Sequence, residues 1–175
     1  MNPTQNHFEL FGLPPQFAVD AAALQTRYRE LQREVHPDRF ASASQAEQRV
    51  SMQRAARVNE AYQTLKSPLK RAEHLLQLHG VDPQFETNTS MPPEFLAGQL
   101  ALREALEEAA GASDARRLER LSAQLAGERD ALLERLGGQL DSQKAWVAAA
   151  ATLRQLMFLE RLRGDIGDAE ERMEG

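Results

Sequence analysis

The 175-residue chain has no cysteine. That excludes disulfides, thiolate zinc sites, cysteine nucleophiles and any iron–sulfur cluster held by its own thiolates. Aromatic residues are scarce, at 6%, and no stretch alternates apolar and polar residues as a half-buried strand does. No apolar run is long enough to span a bilayer. The opening MNPTQNHFEL lacks a basic segment followed by an apolar one, so it does not read as a secretory signal, and the cytoplasm is the expected location. What the chain does have is abundant Ala and Leu, with 42% hydrophobic and 27% charged residues. That is enough for a core beneath a solvated surface, and it favours helices.

The net charge of −5 is unevenly spread. Residues 1–78 carry 10 Lys+Arg against 8 Asp+Glu, and residues 79–175 carry 11 against 18. An acidic second half argues against general nucleic-acid binding there. The segment HGVDPQFETNTSMPP, residues 79–93, holds one Gly, three Pro and a polar run. It marks a boundary. The expected organisation is a first domain over 1–79, a linker over 80–92 and a second domain over 93–175.

The first half reads as four helices. A short one covers residues 7–12, stopped by Gly12 and Pro14. The next starts after Asp20, a good N-cap, and carries Leu24, Tyr28, Leu31 and Val35 as one stripe. Pro37 ends it. Ser44 and Glu47 fit a capping box for the third, with Ala55, Val58, Tyr62 and Leu65 on its buried face. Ser67 and Pro68 open the fourth, closed by Gly80. The second half reads as three helices over about 93–110, 114–136 and 142–164, a small bundle. Its middle helix has the stripe Leu118, Leu121, Leu125, Leu132 and Leu136, and its last has Trp146, Ala149, Ala150, Leu153 and Met157. The acidic tail beyond Gly164 is expected to fray. The whole is all-α.

Two patterns invite a function. The first is REVHPDRFAS, residues 33–42, joining two helices that can pack antiparallel. Arg29 and Arg33 fall about 140° and 180° around the helix from Leu24, opposite the core stripe. With Arg39 they set positive charge beside His36, Pro37 and Asp38, although Glu30 and Glu34 interleave. Such a face is more often simply solvated, and Asp38 could serve only as a turn residue. A metal site lacks convergent ligands, and a catalytic His–Asp pair lacks a nucleophile. The second pattern lies on the helix from Pro93. Phe95, Leu102 and Leu106 form its core stripe, while Leu96, Leu100, Glu104 and Glu108 run round to the opposite side. Phe158 and Leu162 of the last helix also fall away from its main seam. An apolar patch rimmed by carboxylates suits protein binding, though single exposed leucines are ordinary.

The ordered set FELFGLPP, LQTRYRELQREVHPDRF and VNEAYQTLKSPLKRAEHLL resembles the J-domain of DnaJ-type co-chaperones over residues 5 to about 79. The chain has neither a Gly/Phe-rich linker nor a cysteine-based zinc module, so a general peptide-binding DnaJ is disfavoured. With FLAGQLALREALEE and LRQLMFLERLR in the second half, nearly the whole chain is similar to the HscB family of iron–sulfur cluster biogenesis. The resemblance implies an adaptor, not an enzyme, with no cofactor. It implies two partners: HscA, a DnaK-class chaperone whose ATPase is stimulated, and IscU, the cluster scaffold. By motif position, His36, Pro37 and Asp38 would form the stimulating loop, with Arg27, Arg29, Arg33 and Arg39 as docking cations. Leu96, Leu100, Glu104, Glu108 and Phe158 would bind the scaffold. Ala97 and Ala101 stand where relatives often have Met and an acidic residue, and Gly98 weakens the helix locally by about 1 kcal/mol relative to Ala. A J-protein for an unrelated client, and a helical metal or hydrolytic enzyme using His36 and Asp38, are the rival readings.

Overall fold

The computed structural model describes residues 5–40, 42–83 and 91–174, with the backbone alone for Pro37, Met173 and Glu174. Residues 84–90, within the expected linker, lie outside the described residues, as does Ala41. Every regular element among them is helical: α1 His7–Phe11, α2 Ala21–Val35, α3 Gln45–Lys66, α4 Pro68–Leu78, α5 Pro93–Gly111, α6 Ala115–Gly137 and α7 Trp146–Glu174. The chain divides into two compact units, Met1–Leu75 and Leu76–Gly175.

In the first unit the helix ends are written in the sequence. Asn6 and Glu9 close a capping box on α1, and Gly12, at φ 65°, ends it in the left-handed conformation. That geometry is strained for any side chain bearing a Cβ. The Asp20 carboxylate accepts from the Ala22 and Ala23 amides at the start of α2. Ser44 and Glu47 cap α3 reciprocally; those hydrogen bonds hold the Glu47 carboxyl below its ordinary pKa. The core is Phe8, Leu10 and Phe11 of α1 against Leu24, Leu31 and Val35 of α2 and Val58, Ala61 and Leu65 of α3. Burial of a side chain such as Phe8 contributes up to about 3 kcal/mol. Beside this core, Tyr28 stacks on Tyr62 with ring centroids 4.0 Å apart, and the Tyr28 hydroxyl donates to Asn59 Oδ1 at 2.8 Å. These contacts join α2 to α3.

The second unit is a bundle of α5, α6 and α7. All five predicted leucines of α6 are buried, as are Leu102, Leu106 and Ala109 of α5. Arg129 of α6 donates to Glu160 of α7 at 2.7 Å, and Arg103 of α5 pairs with Asp165 of α7 at 3.6 Å. The segment leading into α5 also belongs to this unit. His79 stacks on Trp146 with centroids 3.7 Å apart, and Arg154 donates to the Pro83 carbonyl at 3.0 Å.

Three sequence expectations are corrected here. The last helix begins at Trp146, not 142, because Gly138–Ser142 forms a wide π-type turn. Its Leu140 side chain is buried and the Gln143 amide donates to the Gly138 carbonyl at 3.0 Å. The tail does not fray after Gly164: α7 runs to Glu174 and buries Ile166 and Ala169. The acidic composition masked an apolar spacing of Leu159, Leu162, Ile166 and Ala169 that continues the buried face. Leu162, expected outside the seam, is therefore part of it.

Candidate functional site

The turn after α2 is built by three constraints. Pro37 has no amide hydrogen and disfavours helix at the preceding residue, so α2 stops and His36 takes φ −59°, ψ 128°. Residues Pro37–Phe40 then form one 3-10 turn, with the Arg39 amide donating to the His36 carbonyl at 3.1 Å. Two side chains tie the turn back to its supports. The Arg39 guanidinium donates to the Arg33 carbonyl at 3.1 Å. The buried Ser51 hydroxyl of α3 donates to the Val35 carbonyl at 2.9 Å, satisfying a carbonyl that the helix end leaves open.

Within the turn, the Asp38 amide donates to His36 Nδ1 at 3.3 Å. That bond assigns the ring proton of a neutral His36 to Nε2. The same Nδ1 lies 3.5 Å from Asp38 Oδ2, which becomes an ion pair only when the imidazole is protonated. With His36 neutral, the exposed Asp38 carboxylate is available to an outside cation. Chemically the turn is an exposed carboxylate beside an exposed imidazole, both carried on a braced backbone.

The arginines divide into two kinds. Arg27 is half-buried and pairs with Glu30 at 3.0 Å and Glu34 at 3.9 Å. Arg29 and Arg33 are exposed, and neither guanidinium makes an ion pair among the described residues. The acidic interleaving thus neutralises Arg27 and leaves the outward face positive.

In the second unit, Leu96 and Leu100 are 45% and 60% exposed. Phe158 of α7, half-buried, makes an edge-to-face contact with Phe95, the residue before Leu96, centroids 6.1 Å apart. Phe95 is half-buried, not a core residue, and completes the apolar surface at the start of α5. Glu104 is exposed and makes no ion pair among the described residues, whereas Glu108 is held by Arg117 at 2.6 Å. The expected acidic rim is therefore one open carboxylate and one partly neutralised. Below the ridge, Gln99 is 4% exposed and its amide donates to Glu128 of α6 at 3.3 Å, anchoring this part of α5.

Sequence reasoning missed Ser51, Phe95 as the partner of Phe158, and Arg117. Ser51 carried a usable signal, since it sits two turns before Val58 on the buried stripe, and a polar residue there must find a partner. No cluster of three or more metal-ligating side chains occurs among the described residues, and none of their helices is long and apolar enough to cross a membrane.

A His-Pro-Asp turn between antiparallel helices, followed by a helical bundle with an exposed apolar ridge, defines a J-domain co-chaperone. Comparison with known proteins agrees. The DnaJ domain matches residues 6–74 and the HSCB C-terminal oligomerisation domain matches residues 91–167. A co-chaperone protein HscB homolog from Burkholderia multivorans is 53% identical, covering 97% of this chain and 96% of that protein. The chaperone HscB structure from Vibrio cholerae is 39% identical with TM-score 0.85, covering 97% of this chain and 99% of that one. The human co-chaperone protein HscB structure is 30% identical with TM-score 0.89, covering 95% and 83%. The chain belongs to the HscB co-chaperone family.

Proposed function

We propose that this protein stimulates the ATPase of a DnaK-class chaperone, HscA, and delivers the iron–sulfur scaffold IscU to it, promoting cluster maturation and transfer. The single observation that carries the reading is the pairing of two exposed chemistries on one chain: the Asp38 carboxylate on its braced turn, and the apolar Leu96 and Leu100 with half-buried Phe158 at Phe95. His36, Pro37 and Asp38 address the chaperone, with Arg29, Arg33 and Arg39 steering its acidic surface. Arg27 contributes less, because Glu30 and Glu34 offset it. Leu96, Leu100, Phe158 and Glu104 hold the scaffold, and Glu108 does so through its Arg117 pair. A J-domain over 1–79 and a client domain over 93–175, joined by 80–92, tether client to chaperone and raise its effective concentration. The protein acts in the cytoplasm, as an adaptor and not as an enzyme.

Affinity capture tests the reading. Wild-type protein retains both partners. Leu100→Ser with Phe158→Ser loses the scaffold and keeps the chaperone, and a double variant that still retains scaffold at wild-type affinity contradicts the assignment. Ala97 and Ala101 leave the ridge less bulky and less acidic than in many relatives, so an unrelated client is the second reading. Retention of a different protein by the ridge, with no IscU, would establish it.

A further inference from the structure

The acidic stripe that runs on from Leu96 and Leu100 is not evenly charged. Glu104 is exposed and makes no ion pair among the described residues, whereas Glu108, one turn further, is met at 2.6 Å by Arg117 from the first turn of α6. Both partners stay open to solvent, with side chains 38% exposed for Arg117 and 65% for Glu108. Within its own helix each stands at the end that disfavours its charge. Glu108 is in the last turn of α5, which holds no basic residue, and Arg117 is in the first turn of α6, which holds no acidic one. The connection between the helices lets the two charges meet. The Asp114 carboxylate accepts from the Arg117 amide at 3.0 Å, and the Asp114 amide donates to the Ala109 carbonyl at 2.9 Å, so the two helix ends are held together. Arg116, the preceding residue, is exposed and makes no ion pair among the described residues. Glu108 stands two turns beyond Leu100, about 12 Å along the helix axis, which is inside the footprint of a protein interface of ordinary size.

We propose that Arg117 is a specificity-determining residue for client binding: it holds Glu108 back from a cation on the client, so that recognition rests on apolar contact at Leu96 and Leu100 rather than on charge. The proposal rests on the reading of this face of α5 as the client surface, and deepens it. A carboxylate shared with Arg117 attracts an incoming lysine or arginine less than a free one does, because the two charges of the pair largely cancel beyond their contact distance. Glu104 is then the one carboxylate of the stripe that meets the client unshielded. A basic protein with no complementary apolar surface gains little here, which is discrimination by an element set against the wrong partner. The effect has the opposite sign to that of an ordinary interface contact: removing Arg117 strengthens binding.

Calorimetric titration of the full-length protein with purified IscU, at low and at high salt, is the test. At low salt Arg117→Gln should lower the dissociation constant about threefold, the scale of an exposed ion pair, and high salt should erase the difference. Arg116→Gln, which removes the same charge but leaves the pair intact, should strengthen binding clearly less. In a Glu108→Gln background Arg117→Gln should add no more than Arg116→Gln does, since there is no carboxylate left to release. The tryptophan melting transition should stay near wild type in each variant, because the residues changed lie at the surface. Binding that Arg117→Gln leaves unchanged or weakens overturns the proposal. So does an equal increase from Arg116→Gln, or an increase that persists undiminished in the Glu108→Gln background. Leu100→Ser with Phe158→Ser, run in parallel, separates the two failures. Wild-type binding by that double variant removes the client surface itself, whereas its loss of binding beside a silent Arg117→Gln removes only the role of Arg117.

Discussion

Acid should loosen the first unit through His74. Its ring lies beside His7, centroids 4.4 Å apart, and stacks near Phe8 at 5.8 Å. Its Nε2 accepts the His7 amide at 3.4 Å. A protonated imidazole cannot accept that bond through Nε2 and would be placed in a half-buried site. Burial, and then the neighbouring His7, lower the His74 pKa to about 4 from 6.5. His7 is also lowered, by burial first, with Glu60 opposing and Arg57 reinforcing. The sign follows from proton binding. Between these values the unfolded chain binds more protons than the folded one, so stability is complete above about pH 6.5 and falls as pH drops toward 4. At pH 5 the full effect for His74 is about 2 kcal/mol; partial solvent screening reduces it to about 1 kcal/mol. For a unit of this size that is a melting shift of about 4–8 °C.

The two units carry separate reporters. The chain's two tyrosines, Tyr28 and Tyr62, both lie in the first unit, and its one tryptophan, Trp146, lies in the second. Thermal melts at pH 7.5 and pH 5, followed by tyrosine circular dichroism and tryptophan fluorescence, read each unit alone. The tyrosine transition should drop with acid, and His74→Gln, which keeps an acceptor without titrating, should remove most of that drop. An undiminished drop in His74→Gln refutes the reasoning, because the protons would then be binding elsewhere.

Ser51→Ala should destabilise the first unit by about 1–2 kcal/mol, since it leaves the Val35 carbonyl buried without its donor; Ser51→Thr should recover part of the loss in the same tyrosine melt. Ile166→Ala should lower the tryptophan transition by about 2 kcal/mol, because Ile166 is buried, and no change would mean that the last turns of α7 fray after all. Glu108→Gln should free Arg117 and weaken scaffold binding less than Glu104→Gln does, as measured by calorimetry, given that Glu108 is already paired.

Much of this architecture was legible because local and long-range signals agree. Asp20, Ser44 with Glu47, and Gly12 each mark a helix end by a mechanism that works locally, and the structure uses each one. The α6 leucine stripe fixed a buried face without reference to any partner helix. The misses share a cause, which is that they depend on what lies across the fold. The α7 tail looked acidic and solvated because charge is read residue by residue, whereas burial of Ile166 and Ala169 depends on what the helix meets. Residues 137–142 looked like a break because they open on two glycines, yet the chain stays wound through Gly138–Ser142 with Leu140 buried. At the turn, His36, Pro37 and Asp38 could be found by motif, but not the Ser51 hydroxyl that braces the preceding Val35 carbonyl from sixteen residues away. The difference between a paired Arg27 and open Arg29 and Arg33 likewise required side-chain geometry.

The central claim is that one chain joins an ATPase trigger to a client-holding ridge. Steady-state ATP turnover by HscA, measured with this protein and IscU added separately and together, tests it most directly. Stimulation that is greater than the product of the separate effects, and that Asp38→Asn abolishes, is the predicted result. Turnover that IscU leaves unchanged in the presence of this protein, or that Asp38→Asn supports as well as wild type, would contradict it.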